Sequence, residues 1–227
     1  MAIIPYLAMT AAEIRNNSCL PTRIAWMACH FSPYSTGISN LPEALPEGSM
    51  LILNDITPIR SHDPELIASQ LQSCMEENRC SGLLLDFLQK DAELAQLADC
   101  LAASLSFPVA GYGSRKGPLV IPPVPCDVPL SDYITPWNGR EIWLEISPSP
   151  LLLQLNHDRC TTTPFPLQDI PAEGQKEETL HCHYQIRMTD TEAGFTLWRT
   201  KEDILDLLDE AEALGIHTAV GLWQELR

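Results

Sequence analysis

Cys80-Ser-Gly-Leu-Leu-Leu-Asp-Phe87 decides how this 227-residue chain is read. Gly82-Leu-Leu-Leu85 is unbroken apolar sequence, and it ends in a single carboxylate, Asp86. A strand covered on both faces shows no alternation, so this is the pattern of a buried parallel strand that delivers one polar group to the rim of its sheet.

Helical patterns stand on both sides of it. Upstream, Asp63-Pro64 reads as an N-cap and first-turn proline, with Leu66, Ile67, Leu71, Cys74 and Met75 as one apolar stripe. Downstream, Asp91 to Leu105 carries Leu94, Leu97, Ala98, Leu101 and Leu105 at helical spacing. Apolar strands flank these helices at Ser49–Asp55 and Pro108–Tyr112. Strand, helix, strand, helix, strand predicts right-handed parallel units.

Towards the N-terminus, Ile3–Met9 and Arg23–His30 read as strands. Between them Thr10-Ala-Ala-Glu13 is a capping box, and after them Phe31–Gly37 is a loop with two aromatic rings. Towards the C-terminus, 114–136 holds six prolines and is expected to be irregular, with one short strand at Leu119–Ile121. Glu141–Ser147 is a strand, and the polar stretch 156–180 is expected to be a long loop. His183–Met188 and Gly194–Trp198 read as a hairpin. Thr200-Lys-Glu-Asp203 opens a helix with a second capping box, Gly215 sits at its C-cap, and His217–Trp223 is a last strand.

About eight mostly parallel strands, several with crossovers too short for helices, predict one domain over 1–227. The expected fold is a compact, partly degenerate (β/α)8 TIM-like barrel with few full-length helices. An open doubly wound sheet is the main competitor. No glycine-rich phosphate loop follows any strand, which weakens its nucleotide-binding form.

Composition narrows the function classes. Hydrophobic residues are 45% of the chain and charged ones 19%, which is a globular balance. The net charge of −16 repels phosphate backbones, so nucleic acid is not an expected partner. The apolar N-terminus has no basic region and is broken by Pro5, and no run reaches spanning length, so neither a signal peptide nor a membrane segment is expected. Eight cysteines at irregular spacing, several inside apolar elements, suit free thiols in a reducing, cytoplasmic setting.

Two places resemble the family 18 glycoside hydrolases, the chitinase-like barrels. Ser81-Gly-Leu-Leu-Leu-Asp-Phe-Leu88 is similar to the family's Asp-Gly-x-Asp-x-Asp-x-Glu strand motif. Gly82, Asp86 and Phe87 match it. Ser81 and Leu84 stand where the family has aspartates, and Leu88 stands where it keeps its proton-donating glutamate. The ending, with Phe195–Trp198, a capped helix and Ala219–Trp223, resembles the family's last two strands, where a terminal tryptophan floors the sugar site. The resemblance implies a barrel whose standard activity is lost, because leucine cannot protonate a leaving oxygen.

Barrel chemistry sits at the carboxyl ends of strands. That selects Asp86, Glu145 and Asp55 as candidate catalytic carboxylates, and His30, Tyr34, Asn54, Tyr112, Trp223 and Glu225 as candidate ligand contacts. Each has a plainer reading. Asp86 could cap a loop, Asn54-Asp55 before Pro58 suits a turn, and Trp223 suits a barrel end filled by a large ring. His157-x-x-Cys160 with His181-Cys182-His183 has ligand chemistry but no zinc spacing, so no metal and no cofactor is expected.

The expectation is therefore a non-catalytic chitinase-like barrel binding a carbohydrate or a protein partner at its rim. The alternatives are a glycosidase-type hydrolase with relocated carboxylates, and a cytosolic assembly protein without a small ligand. No motif speaks to oligomeric state.

Overall fold

The computed structural model describes residues 3–57, 63–156, 159–189 and 192–227. In chain order the first half holds β1 (Tyr6–Met9), α1 (Ala11–Asn16), β2 (Ile24–Phe31), β3 (Ile38–Ser39), β4 (Met50–Asn54), α2 (Pro64–Glu77), β5 (Gly82–Asp86) and α3 (Ala92–Ser104). Then come β6 (Val109–Gly111), β7 (Leu119–Ile121), α4 (Leu130–Ile134) and β8 (Ile142–Ile146). Five further strands follow: β9 (Leu151–Asn156), β10 (Arg159–Pro164), β11 (Gln175–Glu177), β12 (Cys182–Met188) and β13 (Glu192–Trp198). The chain ends with α5 (Lys201–Ala213), β14 (Thr218–Leu222) and α6 (Trp223–Leu226).

Eight of these strands close a parallel barrel. The order is β1-β2-β4-β5-β6-β7-β8-β14, and β14 returns to β1 through Tyr6↔Val220 and Leu7↔Gly221. β3 adds an antiparallel strap outside β2. The open-sheet alternative is excluded, because closure leaves no free edge on any stave.

Local signals start and stop the helices. Thr10 and Thr200 each form the full capping box. Asp63 accepts hydrogen bonds from the Glu65 and Leu66 amides ahead of Pro64. The apolar stripe of α2 buries Ile67, Leu71 and Met75 completely against β4 and β5. Each such side chain contributes about 1.5–3 kcal/mol relative to exposure. α5 covers β8 and β14 in the same way through Leu207, Leu208 and Ala211.

The barrel interior is filled from below. Trp143 lies inside with Tyr6, Met50, Leu84 and Val220. Its ring runs beside Gly82, where a Cβ would come within 2.8 Å of it. The glycine matched in the family motif is thus required here by a tryptophan across the barrel.

Three expectations are corrected. The stretch 156–180 is not a plain loop, since β10 and β11 lie within it. Its polar strands have exposed faces and short reach, so they carry no apolar run to announce them. The hairpin at 183–198 is not part of the barrel. β12 and β13 belong to a separate antiparallel sheet, ordered β10-β9-β13-β12-β11, inserted between β8 and α5. The stave that completes the ring is the three-residue β7, the short strand expected at Leu119–Ile121 within the proline-rich segment. Finally, Trp223 is not a strand residue, because it opens α6. Among the described residues, no helix is long and apolar enough to cross a membrane.

The inserted sheet is tied to the barrel by polar groups. Arg199, 3% exposed, donates to the carbonyls of Val124, Pro125 and Leu180. His183 on β12 meets Asp203 of α5 at 2.7 Å, and His181 meets Glu210 at 2.9 Å. Asp203 is fully buried. Burial alone would raise its pKa, but the Thr200 amide, His183 and the Thr200 hydroxyl together hold it below the usual value.

Candidate functional site

At the carboxyl ends of the staves a cavity of about 110 Å³ opens in the barrel mouth. Asn54, Asp86, Tyr112 and Glu145 supply its polar groups, from the ends of β4, β5, β6 and β8. Ala8, Met27, Ile52, Leu84 and Val220 form its apolar wall. Alternation places them there. Along β4, Met50, Ile52 and Asn54 share the inner face while Leu51 and Leu53 pack outward on α2 and α3.

The polar groups are linked. The Tyr112 hydroxyl donates to Glu145 Oε2 at 2.7 Å. Burial raises the Glu145 pKa. The Tyr112 bond opposes that rise, and the charges of Asp86 and Glu225 add to it. Asp86 is also raised, first by burial and then by Asp55. Burial and the neighbouring Glu145 push the Tyr112 phenol up as well, so it stays a donor. Asn54 is held between the Met27 carbonyl and the Ile56 amide, at 3.2 and 3.3 Å. Among the described residues, no basic side chain lines the cavity. Its chemistry is that of an acceptor-rich pit, suited to hydroxyl and amide N–H donors.

Asp86, Glu145, Tyr112 and Asn54 are therefore brought together. The remaining candidates lie elsewhere. Asp55 is buried beside the cavity, and its two oxygens accept from the Leu88 and Gln89 amides at 3.0 and 2.8 Å. It shapes the turn after β5. His30 sits at the end of β2 with Nδ1 3.1 Å from the Ala28 carbonyl and does not line the cavity. Tyr34 is 97% exposed in the loop before β3. Glu225 in α6 accepts from the Ser147 hydroxyl at 2.8 Å and acts on the cavity only through its charge. Trp223 does not line the cavity either. Of the His and Cys cluster, His157 lies outside the described residues. Among the described residues no group of three or more ligating side chains could hold a metal.

The sequence reading did not name the apolar wall. Its signal was present in the strands ending at Asn54 and Asp86, where Ile52 and Leu84 sit two residues before the polar group. The inner and outer faces of an all-apolar strand cannot be told apart until the barrel closes.

No protein-family model matches the chain. No curated protein matches its sequence. Solved structures do match. The class V chitinase of Nicotiana tobaccum superposes with a TM-score of 0.61 at 9% identity, over 98% of this chain and 94% of that one. A mutant of the same enzyme in complex with NAG4 gives 0.59 at 9%, with the same coverage. The spore cortex-lytic enzyme SleL of Bacillus cereus gives 0.56 at 9%, over 99% of this chain and 71% of that one. Identity this low speaks to architecture alone, and on that ground the chain has the closed barrel fold of the chitinases and SleL-type glycosylases.

Proposed function

We propose that this barrel binds a carbohydrate at its carboxyl-end rim without hydrolysing it. One observation carries the reading: Asp86, Tyr112 and Glu145 converge on a single mouth cavity; beside it, the motif resemblance sets Leu88, 78% exposed, at the position of the chitinase acid. Carboxylates and an amide at the floor of an apolar pit accept hydrogen bonds from sugar hydroxyl and acetamido N–H groups. At about 110 Å³ the cavity takes a substituent of a sugar rather than a whole ring, well below the roughly 300–1,000 Å³ of enclosing ligand sites. The ring then rests on the rim. The fold match to a chitinase solved with NAG4 supports a ligand of this class.

A hydrolase is the second reading, favoured by the raised pKa of Glu145. A carboxyl that keeps its proton to higher pH is what a general acid needs, with Asp86 as its partner. Titration of the protein with the N-acetylglucosamine tetramer, by calorimetry and by chromatography of products, separates the two. Saturable binding, weakened in Asp86→Asn and Glu145→Gln and with no shorter sugar formed, is the expected result. Product formation abolished by Glu145→Gln establishes the hydrolase instead, and no binding to any acetamido sugar removes both.

A further inference from the structure

The outer layer of the barrel has a gap. β6 and β7 are joined by residues 112–118 without a helix, so α3 has no helical neighbour on that side. A groove of about 570 Å³ lies between α3 and this strap. That is within the range of about 300–1,000 Å³ typical of small-ligand sites. Tyr112, 41% exposed, lines both the groove and the mouth cavity, so the two adjoin at its ring.

Both walls are anchored. On the strap, a Cβ at Gly117 would meet the Val109 carbonyl at 2.0 Å, so the backbone lies flat on β6. Arg140 then donates to the Ser114 and Gly117 carbonyls at 2.7 and 3.2 Å. Opposite, Asp91 caps α3 by accepting from the Glu93 amide at 2.7 Å. Arg115 sits between the two pinned strap residues, and Lys90 immediately precedes the cap. Both line the groove, and neither pairs with a described residue. They bring two cations without a described partner to one groove of a chain of net charge −16. Two carboxylates also line it. Asp91 is engaged in its cap, and Asp99 lies about two turns further along α3, away from Lys90.

We propose that this groove extends the rim site and holds the acidic part of a saccharide, a carboxylate-bearing sugar read by Lys90 and Arg115. This rests on the saccharide reading of the mouth. The guanidinium fork of Arg115 matches a carboxylate, Lys90 supplies a second charge, and Phe87 and exposed Leu88 give the sugar ring an apolar face between them.

The test compares a hyaluronan tetrasaccharide, which alternates N-acetylglucosamine with glucuronate, against the neutral N-acetylglucosamine tetramer by calorimetry at low and high salt. The acidic sugar should bind about fivefold tighter or better at low salt, and the preference should fade at high salt. It should vanish in the double variant Lys90→Ala/Arg115→Ala, which keeps its affinity for the neutral tetramer, and persist in Lys116→Ala, a cation outside the groove. Equal binding of the two sugars, or a preference that survives the double variant, overturns the assignment and leaves the mouth reading standing. Acidic-sugar binding unchanged by Asp86→Asn and Glu145→Gln removes the mouth reading and, with it, the groove as an extension of that site. If neither sugar binds, both are wrong.

Discussion

Single residues carry unequal weight in this fold. Gly82 has the aspect of a family signature in the sequence, yet Trp143 gives it a local cause: the ring occupies the space a side chain would need. Gly82→Ala should destabilise the protein by about 1–3 kcal/mol, the usual cost of overpacking a filled core. The shift is read from the midpoint of urea unfolding. Glu145 and Asp86 work in the opposite direction. Both have folded-state pKa values above the unfolded ones, so the folded protein binds more protons through that interval and stability is lost as pH rises through it. Glu145→Gln should therefore be more stable than the parent at neutral pH. The advantage should shrink as pH falls to the ordinary carboxylate range, near 4.5, where the parent also carries the proton. Thermal unfolding of both proteins across pH checks this, and a gain that grows towards acid contradicts it.

At the scale of elements, α5 is held more firmly than its amphipathic stripe alone provides. Asp203 closes the capping box with Thr200 and also meets His183 on β12, so one buried carboxylate ties the helix to the inserted sheet. Asp203→Ala removes the cap and leaves the half-buried His183 imidazole without its acceptor. A cap is worth about 0.5–2 kcal/mol, and a hydrogen bond to a charged group about 1.5–3 kcal/mol, the lower end applying at a half-buried partner. A loss of about 2–4 kcal/mol is expected in denaturant unfolding. Because the folded pKa of Asp203 is depressed, its contribution is present above the unfolded value and is lost as pH falls through the folded one, below 3.8. The parent and Asp203→Asn should thus converge in stability at acid pH. Parallel curves would remove the charge of the Asp203 carboxylate from the account.

For the whole molecule, closure is the decisive feature. The first and last staves meet, so the two ends of the sequence stand or fall together. Leu7 is at this seam. It pairs with Gly221 on one side and Ile24 on the other, and its amide donates to the Arg23 carbonyl at 3.1 Å. Leu7→Pro deletes that bond inside a closed barrel, where no edge position can absorb it, at a cost on the order of 3 kcal/mol. Hydrogen exchange should show protection falling in β1, β2 and β14 together. Loss confined to β1 would mean that the seam is not cooperative.

The sequence by itself determined the parallel β4-α2-β5-α3-β6 half of the barrel, both capping boxes and the polar groups at strand ends. Apolar runs, caps and prolines are local signals, set by burial and backbone geometry over a few residues. Only the tertiary structure decided which strands close the ring. β7, expected as a short strand at Leu119–Ile121, proves to be a stave of the barrel, while β12 and β13 also read as strands and belong to another sheet. The tertiary structure also separated Asp55 from Asp86, since two carboxylates at adjacent strand ends look alike until one meets the Leu88 and Gln89 amides and the other faces the cavity. Those distinctions depend on pairings between separate elements, from Leu119 with Ile142 to Asp55 with the Leu88 and Gln89 amides, and no local pattern encodes such contacts.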